Sequence, residues 1–219
     1  MNIKTLILLT LIILIIGCDT RPKFFQDVEK TRDEYELKWA SIELGKLADS
    51  TFTDSTDLKS VLNFKTIDLK GEVTSVDMET AVRLYTSNTK SENLKLYPIF
   101  EIKNTSKVIV PVFGMGLWDK IWGKVLLDKD SMKVLTIEFE HKSETPGIGG
   151  NINDTIFKAQ FNGSLINPTN KNFSLYQEDK KLIEGNQRID GMSGATITSK
   201  GAIEMLNNDL IKYKEYLLQ

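Results

Sequence analysis

The sequence predicts an α+β domain, an antiparallel sheet flanked by helices, and three observations carry that reading. Short runs of strand-forming residues crowd the middle of the chain at 96–102, 107–113, 124–127 and 134–139, with Asn, Asp and Gly turns between them. The run 108–113 is apolar on both faces, which places it centrally in the sheet or beneath a helix. Helical periodicity is strongest at the two ends of the chain, and strands in the middle with helices outside them make an α+β architecture.

Taken in order, the chain opens with MNIKTLILLTLIILIIGCDT. The apolar run 5–17 would make a helix about 20 Å long, short of a bilayer core of about 30 Å, which suits the hydrophobic region of a signal peptide. Ile15, Ile16, Gly17 and Cys18 resemble a bacterial lipobox, which implies cleavage before Cys18, lipidation of its thiol and a membrane tether. The competing reading is an uncleaved short anchor, and both put the body of the protein outside the cytoplasm. Residues 1–18 therefore read as the anchor, 19–57 as a helical lead-in and linker, and 58–219 as the domain proper.

In the lead-in, Leu37, Ala40, Leu44 and Leu47 recur at helical spacing, and Tyr35, Trp39 and Ile42 are expected to widen that apolar face. Residues 49–57 form a polar connection. From 58 to 85 the signal is mixed, with an alternating stretch at 66–69 and a turn at Lys70, Gly71 and Glu72. Segments 154–161 and 181–183 are ambiguous. Residues 200–218 form the best helix, with Ala202, Met205, Leu206, Leu210, Tyr213 and Leu217 on one stripe.

Composition removes several functions. The 219 residues are 41% hydrophobic and 26% charged, enough for a core, and the formal net charge of −2 offers no basic face for nucleic acid. One cysteine and one histidine exclude a disulfide framework and a zinc cluster within this chain, and no catalytic or metal-ligating set stands out.

Three glycine-rich stretches attract the functional reading. GMSGATITSK at 191–200 packs Ser193, Thr196, Thr198 and Ser199 with Gly191 and Gly194 just ahead of the last helix. Thr198 or Ser199 is expected to cap that helix, and its remaining amides and dipole would attract an anion. Taken alone, the stretch is better explained as a plain capped helix behind a small-residue turn. The loop 141–150, from His141 to Gly150, is crowded with Pro and Gly and exposes backbone amides, as a chain lying flat against a planar ligand would. The third stretch places Leu117 and Trp118 after Gly114 and Gly116. It reads either as part of a ligand site or as a tight turn whose Trp118 enters the core.

GMGLWDKIWG at 114–123, ETPGIGG at 144–150 and DGMSGATITS at 190–199 resemble, in order and spacing, the C subunit of sodium-translocating NADH:quinone reductase, and are similar to the G subunit of the Rnf electron-transport complex. The resemblance covers about 96–206. It implies a single FMN-binding domain in which a flavin transferase joins FMN to a threonine hydroxyl through a phosphoester. The pattern maps onto Asp190, Ser193, Gly194, Ala195 and Thr196, so Thr196 is the implied attachment residue. Asp190 either helps place the metal of the transferase reaction or caps a turn.

The other two motifs would then hold the ring: Glu144, Thr145, Gly147, Ile148 and Gly149 as a wall with backbone donors, Leu117 and Trp118 as an apolar wall, and Thr198 nearby. Backbone donors of that kind set a reduction potential without titratable groups.

The family's C subunit has a membrane-spanning helix, whereas here the apolar stretch is short and ends at Cys18. The resemblance implies other subunits of a membrane NADH:quinone reductase or an Rnf-like complex as partners, on the extracytoplasmic side of a bacterial inner membrane. The alternative is a stand-alone lipoprotein, either a flavin carrier or reductase outside the pump or a non-flavin binding protein. No dinucleotide glycine fingerprint follows a strand, so hydride chemistry would lie in a partner.

Overall fold

The computed structural model describes residues 23–91, 93–176 and 185–219. The lipobox cysteine Cys18, the anchor 1–18 and the segment 181–183 lie outside the described residues. The chain divides into two units, 1–36 and 37–219. Helix α1 (Lys23–Ala48) begins in the first unit and ends in the second. In the first unit it carries ion pairs Lys30–Glu34 and Arg32–Glu36 one turn apart, beside exposed Val28 and Tyr35.

The second unit is built on six strands in the order β2-β1-β3-β4-β5-β6, every neighbouring pair antiparallel. These are β1 (Leu62–Asp68), β2 (Val73–Ser75), β3 (Leu96–Ile102), β4 (Lys107–Met115), β5 (Lys120–Asp128) and β6 (Lys133–His141). The helices are α2 (Leu58–Val61), α3 (Met78–Asn88), α4 (Thr155–Ala159), α5 (Thr196–Leu210) and α6 (Lys214–Leu217), with a 3-10 turn at Ile211–Tyr213 joining the last two. A small parallel pair, β7 (Phe173–Leu175) and β8 (Gln187–Ile189), lies apart from the main sheet.

Each face of the sheet carries its own core, which is why 108–113 is apolar on both sides. Successive side chains of a strand point to opposite faces. Val108, Val110 and Val112 pack with Ile137, Phe139 and the stripe Ala202, Met205, Leu206, Leu210, Tyr213 and Leu217. Ile109 joins Ala40 and Leu44 of α1 with Val82, Tyr85 and Phe100 on the other face. Tyr213 is fully buried and its hydroxyl donates to Pro111 O at 2.6 Å, tying the end of the chain to β4.

On the α1 side Lys124 is only 4% exposed and donates to Glu140 at 2.5 Å and Glu43 at 2.8 Å. Burial opposes its charge, but the Tyr85, Glu140 and Glu43 oxygens outweigh burial and keep the ammonium protonated beyond the ordinary lysine range.

Three expectations are corrected. Trp39 and Tyr35 are exposed and do not widen the apolar face of α1. At about 100° per residue Trp39 lies about 100° from Ala40 and about 140° from Leu44, and Tyr35 still farther round, so both fall off the buried stripe. Helix α3 replaces the mixed signal before Tyr85: Asp77 accepts the Thr80 N–H at 2.8 Å and caps it, and Ala81, Val82 and Tyr85 give it a narrow buried stripe. The last helix starts at Thr196, not near Lys200, with Ala195 at its N-cap and no side-chain cap bond. Thr198 and Ser199 therefore lie inside its first turn and do not cap it. Among the described residues no helix is long and apolar enough to cross a membrane.

Candidate functional site

Three loops meet at one end of the sheet. The β4–β5 turn closes with the Gly116 N–H donating to Asp119 O at 2.8 Å. The Asp119 carboxylate accepts the Lys120 N–H at 2.8 Å and faces the Lys142 ammonium at 3.0 Å, which together hold its carboxyl below the usual aspartate value. After β6, His141 Nδ1 accepts the Glu144 N–H at 3.2 Å. Thr145 O then receives the N–H groups of Ile148 at 3.1 Å and Gly150 at 2.9 Å, a tight fold that uses Gly147 at φ +77°.

The third loop leads into α5. Gly194 turns it at φ +71°, the Ala195 N–H donates to Met192 O, and Ser199 Oγ accepts the Met192 N–H at 2.9 Å while donating to Ala195 O at 2.9 Å. Ser199 is thus a brace for the loop.

One carboxylate binds all three loops together. Glu144 is 3% exposed. Its Oε1 accepts the Trp118 N–H at 2.9 Å, and its Oε2 accepts the Thr198 hydroxyl at 2.6 Å. Gly116 and Gly149 pass so close that a Cβ on either would overlap this carboxylate. Charge-assisted bonds of this kind are about twice as strong as neutral ones, so Glu144 sets the spacing of the loops.

Beside Glu144 the loops enclose a cavity of about 220 Å³ lined by Leu117, Trp118, Thr145, Ile148, Gly194 and Thr196, among others. Leu117, Trp118, Ile148 and Ile197 are 44%, 66%, 43% and 58% exposed around this small opening, a concentration of bare apolar surface that invites a planar apolar ligand. Thr196 is exposed at the first residue of α5, and its hydroxyl has no hydrogen-bond partner among the described residues. The first amides of a helix have no partner within it, so a hydroxyl here lies where a phosphate is favoured without Lys or Arg.

The family model for the FMN-binding domain matches residues 116–210, from the first loop to the last residue of α5, so all three loops fall within it. Over that span the chain is similar to FMN-binding domains. It is 35% identical over 107 residues to the C subunit of Na(+)-translocating NADH-quinone reductase of Vibrio campbellii, covering 47% of this chain and 41% of that one. It is 30% identical over 161 residues to the same subunit of Vibrio anguillarum, covering 64% and 61%. The chain thus spans about half the length of these relatives.

The crystal structure of the C subunit of Na(+)-translocating NADH-quinone reductase from Parabacteroides distasonis superposes with a TM-score of 0.67 at 27% identity, over 86% of this chain and 96% of that one. The Shewanella oneidensis NqrC structure gives 0.61 at 20% identity, over 87% and 98%, and supports the fold.

Within the matched span 116–210, Leu117, Trp118, Glu144, Thr145, Ile148, Gly149, Gly194, Ala195, Thr196 and Thr198 come together on the cavity wall. Trp118 stands out from the surface and is not a core residue. Gly147 is absent from that wall, and the space around it is open. The Ile148 N–H, expected as a ring donor, is already bonded to Thr145 O. Ser193 is exposed. Asp190 points away: its carboxylate pairs with Arg188 at 3.0 Å, and its backbone exchanges two hydrogen bonds with the Gln160 side chain. Ile197 escapes a reading of the sequence because an apolar residue at a helix start looks like core. The one signal is its place directly after Thr196.

Proposed function

We propose that this chain is a membrane-tethered flavoprotein that carries FMN in phosphoester linkage on Thr196. It would pass electrons within a sodium-translocating NADH:quinone reductase or a related membrane complex. The observation that carries the reading is the position of Thr196: an exposed, unpartnered hydroxyl at the free-amide end of α5, on a cavity rimmed by bare apolar side chains. FMN, when bound, supplies the capacity to accept and release electrons.

The chain's own residues do the rest. The first amides of α5 face the phosphate, Gly194 lets the loop approach it, and Ala195 leaves room beside the hydroxyl. Leu117, Trp118, Ile148 and Ile197 cover the apolar part of the ring and exclude water. The amides of Thr145 and Gly149, which have no backbone partner among the described residues, are the donors left for its polar edge. Ser193 and Asp190 lie outside this contact set and would act, if at all, while the transferase is engaged.

Similarity to NqrC proteins supports the partners: the other subunits of an NADH:quinone reductase, and a flavin transferase for maturation. Residues 37–219 form one compact unit, and the flavin domain would occupy 58–219 of it, after the lead-in at 19–57. Lipidation of Cys18 would tether it on the extracytoplasmic face of the inner membrane.

The test is native purification of the tagged full chain from its own membranes. The reading expects a flavin spectrum that survives acid precipitation, together with co-purifying NADH:quinone reductase activity. Retained flavin without that activity would favour a stand-alone flavin lipoprotein, and absence of both would end the proposal.

A further inference from the structure

Strand β6 ends at His141, and the loop that follows has to turn the Glu144 carboxylate inward between Gly116 and Gly149. Lys142 still donates its N–H to Lys120 O across the β5–β6 pair. Two residues on, the Glu144 N–H has no backbone acceptor among the described residues, and the imidazole of His141 takes it, with Nδ1 accepting at 3.2 Å. A neutral imidazole has one N–H and one lone pair, so accepting at Nδ1 places its proton on Nε2. The Nε2 edge lies against Gly150, where a Cβ would come within 3.3 Å of it. The imidazole thus braces the loop from Glu144 to Gly150.

The residue after Glu144 is Thr145, whose amide is one of the two donors assigned above to the polar edge of the flavin. Thr145 is constrained from its far side. Its carbonyl oxygen accepts the Ile148 and Gly150 N–H groups, and Pro146 disfavours helical conformations at the residue before it. The backbone freedom that remains lies at Glu144, and the Glu144 N–H is the group that His141 holds.

We propose that His141 is a positioning residue of the flavin site: its Nδ1 lone pair, acting through the Glu144 N–H, fixes the direction in which the Thr145 amide meets the flavin. The proposal rests on the flavin reading. A donor held against the polar edge stabilises the charge gained on reduction, so loss of the brace should make the bound flavin harder to reduce.

The test is a redox titration of the full chain co-expressed with a flavin transferase, comparing His141→Asn with His141→Leu. The two replacements have nearly the same shape, but Asn keeps an acceptor that can bond the amide three residues on, and Leu has none. His141→Leu should disfavour the reduced flavin at least about ten-fold, a fall of about 30 mV for a two-electron couple, and His141→Asn should restore most of that. A role confined to folding would lower the yield of loaded chain and leave the potential of the loaded fraction unchanged. That result, or equal potentials in the two variants, would overturn the proposal while leaving the flavin reading intact. An unmodified chain that carries no flavin would end the flavin reading and this inference with it. A second measurement needs neither variant nor flavin. His141 is the one histidine in the sequence, so the 15N spectrum of the untagged, histidine-labelled chain reports its ring alone. It should show Nδ1 as an unprotonated acceptor and the proton on Nε2, and a proton on Nδ1 would overturn the proposal even if His141→Leu fails to fold.

Discussion

Gly201→Ala is expected to destabilise the domain by about 2 kcal/mol or more in urea unfolding, although alanine is the better helix former. Gly201 lies in α5 where the helix crosses the end of β4, and a Cβ there would overlap the Met115 carbonyl oxygen. The crossing is close on both sides, since a Cβ on Gly114 of β4 would come within 2.7 Å of Met205 Cβ. The helix gains about 1 kcal/mol in propensity from the exchange, but overpacking a well-filled contact costs about 1–3 kcal/mol and occasionally more. Backbone cannot rotate out of the way as a side chain can, so the helix must move. Because Thr196 is on the same helix, the variant should also lose flavin loading out of proportion to its loss of stability. Gly147→Ala is the control: the space around it is open, and only its φ of +77° is unfavourable, so about 1 kcal/mol is expected.

Glu144→Ala should be the most damaging substitution that leaves the apolar core untouched, at about 2–4 kcal/mol. It strands two donors, the Trp118 amide and the buried Thr198 hydroxyl, and unpaired groups of this kind cost about 1–3 kcal/mol each. The effect should reach beyond stability. With the carboxylate gone, the β4–β5 turn and the start of α5 lose their common anchor, and Trp118 emission should shift as its loop loosens. Glu144→Gln offers a graded comparison, because one oxygen still accepts from Trp118 and the amide can donate to Thr198 Oγ1. It should cost about 1 kcal/mol and keep the loops in register. Equal damage from Ala and Gln would mean that charge matters more than the hydrogen-bond count.

How much of this is legible in the sequence depends on the range of the forces involved. Strand β3 is legible with both its ends, and β4 to within two residues, because period-two apolar runs are local signals. The stripe from Ala202 to Leu217 is legible for the same reason, and all six of its members are buried. The three loops are legible as motifs, since glycine and small hydroxyl residues at such density mark themselves.

What escapes is long-range. Thr198 and Ser199 look like helix caps, yet one donates to a carboxylate 54 positions away and the other braces its own loop. Glu144 is legible as a member of a loop motif, but its burial under Gly116 and Gly149 and its hold on all three loops exist only in the fold. Lys120 carries no local mark of burial, and its isolation exists only in three dimensions. Trp39 misleads because an aromatic residue at helical spacing suggests core, although it falls on the wrong face of α1.

The attachment of FMN to Thr196 is tested most directly by intact mass and peptide mapping of the chain co-expressed with a flavin transferase. The account predicts a gain of one FMN minus water, carried by the peptide containing Thr196, resolved from Ser193, Thr198 and Ser199 by fragmentation, and absent from Thr196→Val. No gain from a transferase active on a control substrate, or a gain on any other hydroxyl, would contradict it.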